Sequence, residues 1–164
     1  MAERIFNVLF LCTHNSARSV IAEALLNTIG RDRFQAFSAG SMPSGRVNPF
    51  AVELVRTLGY VTDNIRSKSW EEFAGPDAPH MDIIITVCDN AAGEACPFWP
   101  GHPATAHWGF PDPSVVEGSD DDKRQAFNQV FHAIRRRIDL LASLPVEKLE
   151  HLALADTLKR IHTQ

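Results

Sequence analysis

Short apolar runs alternate along this chain with stretches in which apolar residues recur at helical spacing. The run VLFL at residues 8–11 is typical of a strand buried on both faces of a parallel sheet. Small and polar residues follow it, and apolar residues then recur at helical spacing over residues 21–26. The stretch 7–26 therefore predicts a strand, a tight loop and a helix.

The same alternation continues to residue 144. Further strands are predicted at residues 34–38, 82–87 and 104–108, and further helices at 49–58, 70–73 and 120–144. Asn48 and Pro49 form a helix start, with an N-cap followed by proline. Strands alternating with helices indicate an α/β fold, a three-layer sandwich with a four-stranded parallel sheet and ligands at the carboxyl ends of its strands.

The proline-rich segment 88–104 is predicted to be a long surface loop, and residues 110–118 a second loop. Residues 1–145 are interpreted as one domain. Residues 146–164 are interpreted as a helical extension with loosely amphipathic spacing. The pattern leaves open whether this extension packs on the domain or on a second copy of the chain.

The amino-acid composition and net charge indicate which kinds of partner to expect. The chain has 164 residues, 45% hydrophobic, and a net charge of only −4, which gives no reason to expect nucleic acid or a membrane as a partner. It has no signal-like segment and no run of about 18 apolar residues. Three cysteines indicate thiol chemistry in a reducing compartment. We predict a cytoplasmic protein without cofactor or metal.

The loop CTHNSARS carries the clearest chemistry. At the start of a helix, backbone N–H groups and the helix dipole favour an anion. Cys12 is expected to be a thiolate there, and therefore a nucleophile, because a helix N-terminus and the Arg18 guanidinium favour the charged form. Ser16 and Ser19 offer hydroxyl donors. The predicted oxyanion site comprises Thr13, His14, Asn15, Ser16, Ala17, Arg18 and Ser19.

Two further cysteines extend this chemistry. Cys88 follows the 82–87 strand as Cys12 follows the first, so both thiols are expected at one edge of the sheet. Cys96 lies eight positions further on in a loop that contains Gly93. This arrangement favours a redox relay over a structural disulfide, although Cys88 as a core residue and Cys96 as a surface thiol remain the alternatives.

The loop CTHNSARS resembles the phosphate loop of the low-molecular-weight tyrosine phosphatase superfamily, which also contains the arsenate reductases. The resemblance implies that Cys12 attacks arsenate, Cys88 resolves the adduct and Cys96 passes the disulfide on. Thioredoxin or a glutathione and glutaredoxin system would then reduce the disulfide. It also implies that phosphate or sulfate competes with arsenate, and residual phosphatase activity is compatible with it.

The same resemblance assigns two more functions. Asp112, in WGFPDPS, would be the general acid. Phosphatases usually carry an aromatic residue after this Asp-Pro pair, and Ser114 in its place favours reduction. Asn15, Glu23 and Ser38 match a potassium site of some reductases. Lys68 replaces a carboxylate of that site, so we predict no potassium requirement.

Three alternatives remain at this stage. A phosphatase acting on phosphotyrosine or small phosphoesters shares the loop and Asp112. An oxyanion sensor without turnover would share the loop alone. A zinc module would use Cys88, Cys96, His102 and His107, although their spacing is poor for a structural zinc site.

Overall fold

Four parallel strands form the centre of the molecule in the computed structural model, which describes residues 5–60, 65–87 and 104–145. The strands are β1 (Phe6–Cys12), β2 (Phe34–Gly40), β3 (Ile83–Thr86) and β4 (Ala104–His107). They are ordered β2-β1-β3-β4. All three pairings are parallel, with β1 in the interior beside β3. The predicted α/β fold with a four-stranded parallel sheet is confirmed.

Among the described residues, three α-helices connect or follow these strands. They are α1 (Arg18–Ile29), α2 (Pro49–Thr57) and α3 (Asp120–Ala142). The predicted cap of α2 is confirmed, because the Asn48 side chain accepts a hydrogen bond from the Phe50 N–H. The start of α3 is a reciprocal capping box between Ser119 and Asp122. The described ranges also contain two short 3-10 helices, at Trp70–Phe73 and Pro113–Val115.

The core lies on both faces of the sheet because successive side chains of a strand point to opposite sides. On β1, Val8, Phe10 and Cys12 join the larger apolar cluster, which contains the buried faces of α1, α2 and α3. Leu9 and Leu11 join the smaller cluster on the other face. That cluster also contains Trp70, Phe73 and Met81. The layer on this second face is built, among the described residues, from a 3-10 helix and loop.

Some observed boundaries of strands and loops differ from the predicted ones. β2 runs to Gly40, two residues beyond the prediction, because it stays paired with β1 as far as Cys12. The predicted loop 110–118 contains the 3-10 helix Pro113–Val115. Of the predicted loop 88–104, residues 88–103 lie outside the described residues, and Ala104 is the first residue of β4. The extension 146–164 also lies outside them, so the domain boundary stays a prediction. In the described ranges, no helix is long and apolar enough to cross a bilayer.

Candidate active site

Cys12 is the last residue of β1 and lies buried at the carboxyl edge of the sheet. The neighbouring strand β2 ends beside it, with Gly40 in register with Cys12. A Cβ atom at position 40 would lie 2.4 Å from the Thr13 carbonyl oxygen and 2.9 Å from that of Cys12. These are backbone contacts, so glycine is required for β2 to pass so close to the start of the loop.

Three carbonyl groups of the loop at residues 13–17, whose concave side beside Cys12 we call the cup, point toward the segment after β2. These carbonyls accept hydrogen bonds from backbone N–H groups of the segment after β2: Met42 to Thr13 at 2.9 Å, Ser44 to His14 at 3.1 Å and Asn48 to Ser16 at 2.8 Å. In a planar trans peptide the C=O and the following N–H point in opposite directions. The amides after these carbonyls therefore point away from the segment after β2, as an anion site on the concave side of the loop requires.

The buried side chain of Asn15 joins the loop to α1 and to the segment before the first 3-10 helix. Asn15 is fully buried and has a left-handed backbone with φ 50°, a conformation that asparagine tolerates better than most residues. Its side-chain amide donates to Ser19 Oγ at 2.8 Å, and its oxygen accepts from the Lys68 backbone N–H at 2.9 Å. Ser19 is also fully buried, and its hydroxyl serves this internal contact.

Arg18, the first residue of α1, is brought together with Asp112. Arg18 Nη1 donates to the Phe110 carbonyl oxygen at 2.9 Å, and Nη2 lies 3.5 Å from Asp112 Oδ2. The Phe110 contact was missed by sequence reasoning. It uses a backbone oxygen, a group that every residue has, so no residue type could have indicated it.

Asp112 is held as an anion in this arrangement. Its Oδ1 accepts hydrogen bonds from the Ser114 backbone N–H at 2.9 Å and the Ser114 hydroxyl at 2.6 Å. Burial raises the pKa of Asp112, but the Ser114 hydrogen bonds and the charges of Arg18 and His14 outweigh it and bring the pKa below its ordinary value. Asp112 must therefore gain a proton before it can act as a general acid.

His14 lies exposed in the loop after Cys12. Its ring Nδ1 is 3.1 Å from the Met42 carbonyl oxygen. Because a carbonyl oxygen only accepts hydrogen bonds, Nδ1 carries the hydrogen in this contact. The His14 carbonyl also accepts from the Ser67 hydroxyl at 2.9 Å. The residue therefore joins the loop to the segments after β2 and before the first 3-10 helix.

A buried charged pair lies behind the loop. Lys68 Nζ is 3.9 Å from Glu23 Oε1, which also accepts a hydrogen bond from Ser38 Oγ at 3.0 Å. Burial raises the pKa of Glu23 and lowers that of Lys68, because both charged forms lose solvation. The structure thus places the Lys68 ammonium group beside Glu23, which also accepts from Ser38. The Lys68 backbone N–H contacts Asn15. The absence of a potassium requirement stays a prediction.

Cys88 and Cys96 lie outside the described residues, and so does His102 of the alternative zinc site. The chain that leads to Cys88 is described up to Val87, whose N–H donates to the Leu11 carbonyl at 2.9 Å. Leu11 directly precedes Cys12. Within residues 5–60, 65–87 and 104–145, no three side chains of the types His, Cys, Asp and Glu form a cluster that could hold a metal ion.

The sequence of this chain is similar to those of a known protein family and of characterised relatives. Residues 7–152 match the model of the family described as low molecular weight phosphotyrosine protein phosphatase. An arsenate reductase of Bacillus licheniformis is 37% identical over 136 residues, which cover 82% of this chain and 94% of that protein.

Solved structures of arsenate reductases superpose on this chain. An arsenate reductase in its phosphate-binding state superposes with a TM-score of 0.64 at 25% identity, covering 85% of this chain and 98% of the other. A thioredoxin-dependent arsenate reductase of Corynebacterium glutamicum superposes with a TM-score of 0.56 at 26% identity, covering 86% of this chain and 65% of the other. The cup around Cys12 thus lies in a fold that these reductases share.

Proposed function

Because the chain belongs to the low molecular weight phosphotyrosine protein phosphatase family and, within it, to the arsenate reductases, we propose that it reduces arsenate to arsenite through a relay of three thiols. The observation that supports the relay is the hydrogen bond from Val87 to Leu11. It joins the residue before Cys88 to the residue before Cys12. Because β1 and β3 are parallel neighbours, the segments that follow them leave the sheet at the same edge, which supports a relay between the thiols of those segments.

Arsenate binds in the cup as a tetrahedral oxyanion. Loop amides donate to its oxygens, and the Arg18 guanidinium offers two parallel N–H donors that match two of them. The Phe110 carbonyl fixes one side of that guanidinium. The helix N-terminus and Arg18 favour the thiolate of Cys12, which lies at the base of the cup.

The first step forms a covalent adduct. The Cys12 thiolate attacks arsenic, an S–As bond forms, and one oxygen departs as water after accepting a proton from Asp112. Because Asp112 is paired with Arg18, an arsenate bound to that guanidinium weakens the pair and adds negative charge beside the carboxyl. Both effects favour the protonated form that this step needs.

The later steps move two electrons to arsenic. The Cys88 thiolate attacks the Cys12 sulfur, the S–As bond breaks, and its electron pair reduces As(V) to As(III), which leaves as arsenite. A Cys12–Cys88 disulfide remains. The Cys96 thiolate then attacks the Cys88 sulfur, which releases Cys12 as a thiolate and leaves a Cys88–Cys96 disulfide. An external dithiol reduces that disulfide.

Thioredoxin is the reductant that we favour, since the Corynebacterium glutamicum relative is described as thioredoxin-dependent. A glutathione and glutaredoxin system is the alternative. Both reductants belong to reducing compartments, so this proposal includes a cytoplasmic location. Phosphate and sulfate share the tetrahedral shape of arsenate and are proposed to compete for the cup.

The test is a single turnover without external reductant. Fully reduced protein is given arsenate, and arsenite and free thiols are measured. The proposal expects one arsenite released and two thiols lost for each chain. Release of no arsenite with all thiols retained would overturn it.

Hydrolysis of phosphoesters is the second candidate, because the cup, Arg18 and Asp112 suit that reaction equally. Turnover of an activated phosphoester by protein that releases no arsenite would identify a phosphatase. Absence of both activities would identify an oxyanion sensor.

A further inference from the structure

Both carboxyl oxygens of Asp112 have partners. Oδ1 accepts from the Ser114 backbone N–H at 2.9 Å and the Ser114 hydroxyl at 2.6 Å. Oδ2 faces Arg18 Nη2 at 3.5 Å. Asp112 caps the 3-10 helix Pro113–Val115, and Pro113 restricts the backbone between the two bonded residues. The carboxyl is therefore fixed in orientation, with one oxygen toward its own turn and the other toward the cup.

These contacts favour an ionised carboxyl. An ionised carboxylate accepts hydrogen bonds at both oxygens, and hydrogen bonds to a charged acceptor are stronger than neutral ones. Among the described residues, Arg18 and His14 are the charged or titratable side chains whose fields lower the pKa of Asp112. Ser114 is thus a local contact that opposes protonation of the residue expected to donate a proton.

We propose that Ser114 is a positioning residue that keeps Asp112 ionised and directed at Arg18 until a bound oxyanion competes for the guanidinium. The inference rests on the proposed function, in which Asp112 protonates the departing oxygen. A bound oxyanion attracts Arg18 and repels the carboxylate, so Asp112 takes up one proton from solvent. That proton is then transferred to the oxygen that leaves as water, and Asp112 returns to the anion.

Such an arrangement suits a substrate without an ester group. The oxyanion itself causes the acid to be protonated, so no contact with an organic leaving group is needed. Ser114 also directs the carboxyl inward, toward the cup. A hydroxide leaving group on an arsenate held by Arg18 would lie near this carboxyl, because Asp112 Oδ2 faces the same guanidinium.

The experiment measures proton uptake when inorganic phosphate binds, by calorimetry in buffers of different ionisation enthalpy across a range of pH. Asp112→Asn identifies the part of the uptake that belongs to Asp112. The matched pair Ser114→Thr and Ser114→Val keeps similar side-chain shape with and without the hydroxyl. Ser143→Ala removes a serine hydroxyl at the end of α3, where it donates to the Asp139 carbonyl.

We expect the uptake that Asp112 provides to move to higher pH in Ser114→Val, because the ionised form has lost a hydrogen bond. Ser114→Thr keeps the hydroxyl and should behave like the unmodified protein. Ser143→Ala should leave the uptake unchanged. In turnover, the alkaline limb of the kcat profile should also move to higher pH in Ser114→Val, with KM changed by less than about twofold.

Equal uptake profiles for Ser114→Thr, Ser114→Val and the unmodified protein would overturn the inference. So would an uptake that Asp112→Asn leaves intact. The proposed function fails by a different result, the absence of arsenite in a single turnover of unmodified protein. Phosphate binding and proton uptake do not require Cys88 or Cys96, so the two failures are distinguishable.

Discussion

Arg18 and Asp112 form an ion pair across the cup, with Nη2 3.5 Å from Oδ2. Arg18 begins α1, and Asp112 lies in the segment after β4. The pair therefore joins the two sides of the site and places the oxyanion-binding group beside the proposed acid. A bound oxyanion and Asp112 compete for the same guanidinium, which connects substrate binding to the protonation of the acid.

Arg18→Lys tests the planar guanidinium while it keeps the positive charge. Lysine cannot bind two oxygens of the oxyanion and at the same time donate to the Phe110 carbonyl. Since a hydrogen bond to a charged group contributes about 1.5–3 kcal/mol, phosphate affinity should fall by about ten- to a hundredfold. Calorimetric titration with phosphate measures the loss. Unchanged affinity would contradict the role assigned to Arg18.

Gly40→Ala tests the close approach of β2 to the loop. The added methyl would lie 2.4 Å from the Thr13 carbonyl oxygen, so the start of the loop must shift. We expect the free energy of unfolding to fall by about 1–3 kcal/mol, as for other overpacking substitutions, and phosphate binding to weaken. Denaturant unfolding measures the first effect.

Gly75→Ala is the matched control, because a Cβ there has nothing within 4 Å. This variant should keep both unfolding free energy and phosphate affinity. Equal behaviour of the two variants would show that the contact with Thr13 does not determine the loop geometry.

Lys68→Met tests the buried pair behind the loop. Burial already raises the pKa of Glu23, and Lys68 is the main charge that opposes this rise. A group whose pKa is raised by folding contributes stability at low pH and loses it as the pH rises through the folded pKa. Without Lys68 the rise is larger, so the stability of the variant should fall as the pH rises from the ordinary range of a glutamate carboxyl through its raised folded pKa, and should fall further than that of the unmodified protein.

The expected loss at the upper end is about 3 kcal/mol, the cost of leaving a buried charge without its partner. Denaturant unfolding at several pH values measures it. The double variant Glu23→Gln with Lys68→Met has no carboxyl to titrate and should show the smaller pH dependence. If the single variant matched the unmodified protein at every pH, the pair would have no such role.

Substitution of each cysteine separates the steps of the relay. Cys12→Ser should abolish all chemistry, because it removes the nucleophile. Cys88→Ser should block repeated reduction of arsenate but spare hydrolysis of an activated phosphoester, which needs only the cup and Asp112. Arsenite release and phosphoester turnover are the two measurements. Reduction at the unmodified rate by both Cys88→Ser and Cys96→Ser would disprove the relay.

The local elements were determined by sequence pattern. The apolar run before Cys12, the small polar loop and the helical spacing after Arg18 predict a strand, a loop and a helix, and the structure has β1 and α1 there. Such elements depend on neighbours a few residues apart, so periodicity, caps and turn residues indicate them. The position of Cys12 at a strand end followed from the same pattern.

The order β2-β1-β3-β4 and the contacts of the site were decided by tertiary structure. Arg18 donates to the carbonyl of Phe110, and Met42 and Asn48 orient carbonyls of the loop. These contacts use backbone groups, which residue type does not distinguish. They also join positions far apart in the sequence.

The contacts of Asp112 are determined partly by local sequence and partly by tertiary structure. The sequence Asp-Pro-Ser is a recognisable start of a helical turn, with Asp112 as N-cap and Pro113 at the first position. Local pattern could therefore have predicted the hydrogen bond between Ser114 and Asp112. That the other oxygen of the same carboxyl faces Arg18 depends on how the segment after β4 packs against α1, because long-range packing and not local spacing sets the distance between them.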